Sequence, residues 1–216
     1  MRTITKGPEP ASLTIHRQTP HADYDNYTDK NGLRTALASE QRRICCYCMS
    51  RIHTDPLKMK IEHWHSQDCY PREQLDYLNL LGACRGGQGQ PLHLQHCDTR
   101  KGNSDLQWNP ANPAHHIETR LRYELDGSIY SDEVRFNAQL EALLNLNLPV
   151  LKSSRRGVLD GILAWWQREK ARIHGAVPSA TFRRERARRA GQGGDLEPFC
   201  QVAIWWLDQR LARMAR

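Results

Sequence analysis

Ile44-Cys45-Cys46-Tyr47-Cys48, then Lys60-Ile61-Glu62-His63-Trp64-His65, Asn79-Leu80-Leu81-Gly82-Ala83-Cys84 and His96-Cys97-Asp98-Thr99-Arg100-Lys101-Gly102-Asn103 are four short strings in one third of the chain. Between residues 44 and 106 lie six of the seven cysteines and five of the ten histidines, so the chemistry is expected there. Two sulfurs three residues apart, Cys45 and Cys48, reach one metal ion from a tight knuckle. A second pair completes a tetrahedral four-thiolate zinc site. Cys84 and Cys97 are the expected second pair. The Gly-rich segment from Arg85 to His96 separates them, and His93, His96, Cys46 or Cys69 stay open as replacements for one of the four. A redox pair of the thioredoxin kind needs a preceding βαβ pattern, which is missing. Buried thiols without metal are the bland alternative.

Glu62 and His63 fall on opposite faces of a period-2 strand unless the strand ends there. Ending it at His63 lets the carboxylate face a metal while the imidazole faces a water, the division of labour of a hydrolytic site.

Outside this region the pattern changes. Residues 1–32 are rich in Pro, Thr, Asp, Asn and Tyr and read as an irregular docking arm with at most a short strand at Thr3 to Lys6. Residues 33–43 are good helix formers leading into the cysteines. A strand pair is expected at Ile117 to Glu124 and Ile129 to Tyr130 around Asp126-Gly127, and a helix capped by Ser131 through about Leu146, with Pro149 as punctuation. Helices follow at Leu151 to Ile173 and Pro198 to Met214, and their paired tryptophans lie on apolar stripes as core anchors.

The chain has 216 residues, 39% of them hydrophobic and 25% charged, which excludes collagen-like, mucin-like and wholly disordered classes. A chain this long folds without disulfides, so its cysteines need another reason to be there. Residues 150–216 carry 14 Lys and Arg against 6 Asp and Glu, a net +8 that exceeds the +7 of the whole chain. The densest piece holds Arg183, Arg184, Arg186, Arg188 and Arg189 and suits phosphates or an acidic protein face, with a solvated helix face as the bland alternative. No apolar run approaches the ~20 residues that span a bilayer. No secretory leader is expected at Met1 to Pro8, and the expected compartment is the cytoplasm, without membrane.

The order C-x-x-C, [Asp/Glu]-His, Asn-Leu, Cys and Cys-[His/Asn/Asp]-x-x-Lys resembles the zinc-bound ββα-metal nucleases, the HNH endonucleases. Met1-Arg2-Thr3-Ile4-Thr5-Lys6-Gly7, Cys-x-Tyr-Cys, Ile-Glu-His, Asp-Tyr-x-Asn-Leu and His-Cys-Asp-x-x-Lys-Gly together resemble the HNH proteins of retron and Septu-type antiphage systems. The resemblance implies an α+β fold, a zinc-stapled ββα-metal core with an N-terminal arm and a mostly α-helical C-terminal region. The expected division is 1–32 arm, 33–108 nuclease core, 109–130 connecting hairpin and 131–216 basic helical region.

The same resemblance makes His63 the general base, Asn79 the residue that orients its loop, and Glu62 and Asp98 the ligands of a catalytic metal. Glu62 stands where Asp is commonest, and Asp98 where His or Asn is. Two acidic ligands favour Mg2+ or Mn2+, and Asn103 and His65 are further candidates for that shell. Arg100, Lys101 and the five arginines of 183–189 are the expected contacts to nucleic acid, DNA or RNA. A PtuA-like ABC-type ATPase is the implied partner. A zinc-stapled nucleic-acid-binding module or an adaptor, without catalysis, is the competing class; it has no need of a general base.

Overall fold

The computed structural model describes residues 1–191 and 193–215; Gln192 and Arg216, which fall within the expected helical region, lie outside the described residues. The architecture is mixed α and β, mostly helical, with two small antiparallel sheets.

The N-terminal arm departs from its irregular reading. Helix α1, Ala11–Arg17, starts directly after Pro10, and its single apolar residue on the inner face, Leu13, is completely buried. One buried leucine leaves too faint a period to read from sequence. Thr3 to Lys6 forms no strand: Ile4 N–H donates to the Pro110 carbonyl at 2.8 Å, one backbone bond that builds no ladder, and side-chain bonds from Thr3 to Glu118 and from Lys6 to the Leu80 carbonyl help hold the arm. Helix α2, Lys30–Glu40, begins three residues before the expected 33–43 because the Asp29 carboxylate accepts from Gly32 N–H at 2.9 Å. It ends early because Arg42 and Arg43 take left-handed φ values of 51° and 58°.

Strands β1, Met59–His63, and β2, Leu80–Cys84, pair antiparallel from Met59↔Cys84 to His63↔Leu80. β1 ends at His63 as its chemistry asked. Every residue of β2 is buried. Helix α3, Cys97–Lys101, packs on β2 and completes a ββα unit. The Arg85 to His96 segment folds back so that His96 N–H donates to the Gly86 carbonyl at 2.9 Å. Gly86 is needed there: its φ is +54°, and a Cβ would run into the His96 carbonyl.

Residues 117–120 are a 3-10 turn rather than the start of a strand, so the second sheet shrinks to β3, Arg122–Tyr123, and β4, Ile129–Tyr130. Helix α4 spans Val134–Ala138 and passes into a π turn at Gln139–Leu143. Ser131 is not its cap; its hydroxyl accepts from Glu133 N–H at 3.2 Å and closes the turn before the helix. The π turn carries the Leu144 carbonyl to Cys97 N–H, 2.9 Å away, and so ties the helical half to the cysteines.

Pro149 opens α5, Pro149–Ile173, instead of ending what precedes it, because a first-turn N–H has no intrahelical partner to lose. The arginine run forms helix α6, Ser179–Ala190, and α7 spans Cys200–Met214. The expected tryptophan anchors hold these three together. Trp166 and Trp206 rings lie 5.6 Å apart and Trp165 and Phe182 rings 5.8 Å. Among the described residues no helix is long and apolar enough to cross a membrane.

Arg155 of α5 is nearly fully buried, with Nε 2.5 Å from the Gly127 carbonyl and one terminal nitrogen 2.7 Å from that of Leu146. It satisfies two inward carbonyls at once, which few side chains can reach. Gly127 has φ +88°, and a Cβ would strike the Lys152 carbonyl, so the β3–β4 turn must be glycine to sit against α5.

Candidate metal and catalytic site

The sulfurs of Cys45, Cys48, Cys84 and Cys97 all lie within 4.8 Å of one another, and all four residues are buried. Cys45 and Cys97 sulfurs are 3.9 Å apart, those of Cys48 and Cys84 3.7 Å. A tetrahedron with Zn–S bonds of about 2.3 Å has edges of about 3.8 Å, so the donor set fits one zinc ion. The knuckle that presents Cys45 and Cys48 closes through Cys45 N–H to the Ser50 carbonyl at 2.9 Å, with Met49 in the left-handed region.

Other donors aim at the sulfurs. Cys84 N–H lies 3.3 Å from Cys45 Sγ and Ser50 N–H 3.4 Å from Cys48 Sγ, hydrogen bonds that favour thiolate. Burial opposes charge on Cys45, yet hydrogen bonds from Cys46, Cys48, Cys84 and Cys97 outweigh it and hold this thiol well below its ordinary pKa. The alternatives fall away from the quartet. Cys46 is buried beside it but outside the group, Cys69 is exposed, and His96 only reaches Cys97 Sγ through Nδ1 at 3.2 Å.

Glu62, His63 and Asp98 line one open cavity of about 420 Å³, together with Tyr24, Lys60 and Gln88. Glu62 is 2% exposed. Its Oε1 receives the Tyr47 hydroxyl at 2.6 Å and faces Lys101 Nζ at 2.9 Å. Tyr47 sits inside the C-x-x-C string, so the knuckle that carries two zinc ligands also holds the carboxyl in place.

Burial raises the Glu62 pKa well above the carboxylate range, helped by the charge of Asp98 and a hydrogen bond shared with it. Asp98, at the start of α3, moves the other way: burial raises it, but the Glu62 hydrogen bond and Lys60 ammonium prevail and lower it. Two carboxyls that cannot both ionise freely are the oxygen donor set that a divalent cation relieves. Mg2+ is commonly held through one or two carboxylates, with water and phosphate oxygens filling its remaining positions. The donor types fit such an ion. Among the described residues, only the cysteine quartet brings three or more ligand side chains within 4.8 Å of one another; Glu62, Asp98 and His63 are less dense.

His63 Nε2 lies 3.0 Å from the Gln74 carbonyl, which fixes the proton on Nε2 and leaves Nδ1 with a lone pair. The Tyr24 ring meets the imidazole edge to face at 4.5 Å. Burial lowers the His63 pKa, against the pull of the Gln74 carbonyl and Asp98, which favours the uncharged ring. Asn79 locks this geometry. Its Oδ1 accepts from His65 N–H at 2.8 Å, and its Nδ2 donates to the carbonyls of His65 at 2.9 Å and Glu73 at 3.2 Å. The second clamp holds the residue next to Gln74, hence the acceptor of His63.

Other expected site residues lie elsewhere. His65 pairs with Glu73 at 2.7 Å, its ring lies against those of Trp64 and Tyr70, and it is not part of the cavity that Glu62 and Asp98 line. Asn103 lines the cavity but donates to Asp68 at 2.6 Å. Lys101 is buried to 2% exposure, with Nζ also 3.1 Å from the His63 carbonyl, so it cannot reach a phosphate on the surface. Arg100 turns two of its five donors to the carbonyls of Leu92 and Ala142. In α6, Arg186 pairs with Asp208, and Arg188 and Arg189 with Glu185 at 2.6 and 2.9 Å, while Arg183 and Arg184 are exposed with no carboxylate partner among the described residues. Sequence reasoning missed Tyr47, Lys60 and the inward turn of Lys101. The tyrosine between the cysteines was the available signal for the first; nothing local marks the others.

No family model matches the chain. Over 92 residues it is 26% identical to the Septu protein PtuB of Bacillus thuringiensis, a span that covers 40% of this chain and 32% of that protein. The similarity therefore spans about a third of the length of the curated relative.

Proposed function

We propose that this chain is a metal-dependent HNH endonuclease that hydrolyses phosphodiester bonds in DNA or RNA, as effector of a Septu-type antiphage defence system with a PtuA-like ABC-type ATPase. One observation carries the catalytic part: His63, its Nε2 tied to a backbone carbonyl, opens onto the same cavity as a paired Glu62 and Asp98. The similarity to PtuB supports the defence role and the partner. In this reading residues 33–108 form the nuclease core, 1–32 its arm, 109–130 the connection and 131–216 the basic helical region.

His63 Nδ1 takes a proton from the attacking water, and the Nε2 bond to Gln74 steadies the imidazolium that results. Glu62 and Asp98 would hold Mg2+ or Mn2+, which offsets negative charge on the reacting phosphate and leaving oxygen. Lys101 and Lys60 keep the two carboxyls tolerable inside the protein between turnovers. Cys45, Cys48, Cys84 and Cys97 would hold a structural zinc that ties the knuckle, β2 and α3 together, and so, through the β1–β2 pairing, would steady Glu62 relative to Asp98.

A second reading has its own observation. Both carboxyls already face a lysine ammonium, which suits a non-catalytic zinc-stapled module as well. Incubating the purified chain, alone and with its ATPase partner, with plasmid DNA, single-stranded DNA and RNA under Mg2+ or Mn2+ separates the two. The nuclease reading expects cleavage that EDTA stops and that His63→Ala lowers; a zinc-loaded wild type inert on every substrate leaves the adaptor.

A further inference from the structure

A second cavity, of about 450 Å³, opens far from His63 in sequence, where the arm, the 117–122 segment, α6 and α7 meet. Its two acidic residues are occupied: Glu118 takes the backbone N–H and hydroxyl of Thr3, and Asp208 is paired with Arg186. Arg122 is likewise held, by Asp132 at 3.0 Å and the Thr119 carbonyl at 2.8 Å. Arg2 has no carboxylate among the described residues; its nearest partner is Cys200 Sγ, at 4.0 Å. Of the three guanidiniums in the wall, Arg2 is the one with no carboxylate partner among the described residues.

Two side chains of α7 point to a ligand. Gln201 is 6% exposed and lines the cavity. A buried donor left unpaired costs free energy unless something satisfies it. Beside it, the Trp205 indole N–H is buried without an acceptor, and Trp205 and Ile204 supply an apolar wall.

We propose that this cavity binds a nucleoside phosphate. A free guanidinium matches a phosphoryl group, a Gln amide matches the donor and acceptor edge of adenine, and the Trp and Ile wall suits a planar base. The volume lies in the range of small-molecule pockets. The site shares no residue with the metal and catalytic cavity, so it stands whether or not that cavity cleaves nucleic acid.

Equilibrium dialysis of the full zinc-loaded chain against labelled AMP tests it, with inorganic phosphate and adenosine as competitors. Saturable binding of one AMP per chain is expected. Arg2→Gln should weaken it about 10-fold or more, as removal of a charge-assisted pair does, and Gln201→Leu should weaken it by a smaller factor, about 3-fold. Adenosine should compete better than phosphate if the base is seated. Absence of saturable binding at millimolar AMP, or affinity unchanged in Arg2→Gln, overturns the proposal. Phosphate competing as well as AMP overturns its nucleoside part. Arg2 is only partly buried, so its variant keeps the test open if Gln201→Leu fails to fold.

Discussion

The cysteine-rich core and the α5–α7 bundle bury different kinds of side chain. The core buries polar and ionisable groups, among them Glu62, Asn79, Lys101 and four thiols, and each is satisfied by a named partner or a shared metal geometry. The bundle buries Leu159, Ile162, Phe182, Trp206 and Leu207, with Thr181, Glu185 and Gln201 the polar exceptions on its two short helices. A hydrophobic interface tolerates small shifts because its attraction is non-directional. A buried network of charges does not, since each misplaced partner exposes a desolvated group. The region of the proposed site is thus the one that a zinc staple would serve most.

Removing that staple should have the largest effect. Chelation of zinc, or Cys48→Ser, is expected to remove on the order of 10 kcal/mol of folding energy from the core. Elemental analysis should find about one zinc per wild-type chain on the geometry of a four-thiolate site. Hydrogen exchange would localise the damage: β1, β2 and α3 should lose protection before α5–α7. Equal loss in both regions would erase the contrast between them.

Next comes the histidine. His63→Ala should lower cleavage by roughly 100- to 10,000-fold, the range for a general base, with zinc content and melting temperature kept. Asn79→Ala should lower both rate and stability, because its side chain bridges three backbone groups. A His63→Ala enzyme as fast as wild type would remove the imidazole from the mechanism.

Trp206→Ala asks the converse question of the bundle. About 3–5 kcal/mol of stability should go, as for other large-to-small aromatic changes in a core. Zinc content should not change. Zinc lost together with the tryptophan would mean that the Leu144 to Cys97 link makes the two regions one cooperative unit.

The smallest effect concerns α6, whose five arginines divide in two. Neutralising Arg183 and Arg184 should flatten the salt dependence of binding to B-DNA by about 0.9 log unit for each phosphate no longer neutralised. Neutralising Arg188 and Arg189 should instead cost stability, because Glu185, with a side chain only 7% exposed, loses its counter-charges. A filter-binding salt titration on both double variants checks the division; identical slopes would place the whole run on solvent.

Spacing alone made the four-cysteine cluster legible, because two thiols three residues apart announce a knuckle, and the end of β1 at His63 followed from where the proposed chemistry has to face. Periodicity carried α5 and α7 for the same reason: a stripe of large apolar residues every three or four positions has one stable use. What sequence left open were identities set by space. Cys97 rather than His96 completes the quartet because the left-handed turn at Cys97, φ 55°, brings its sulfur to the other three. Lys101 reads as a surface cation and is a buried counter-ion; Arg155 reads as a polar position on a long helix and is a core hydrogen-bond donor. Among five similar arginines, only the placement of Glu185 and Asp208 decided which two stay free. Local spacing determines which groups are capable of chemistry, while the energy of a charge depends on everything within a few ångströms of it, and most of those neighbours are distant in the chain.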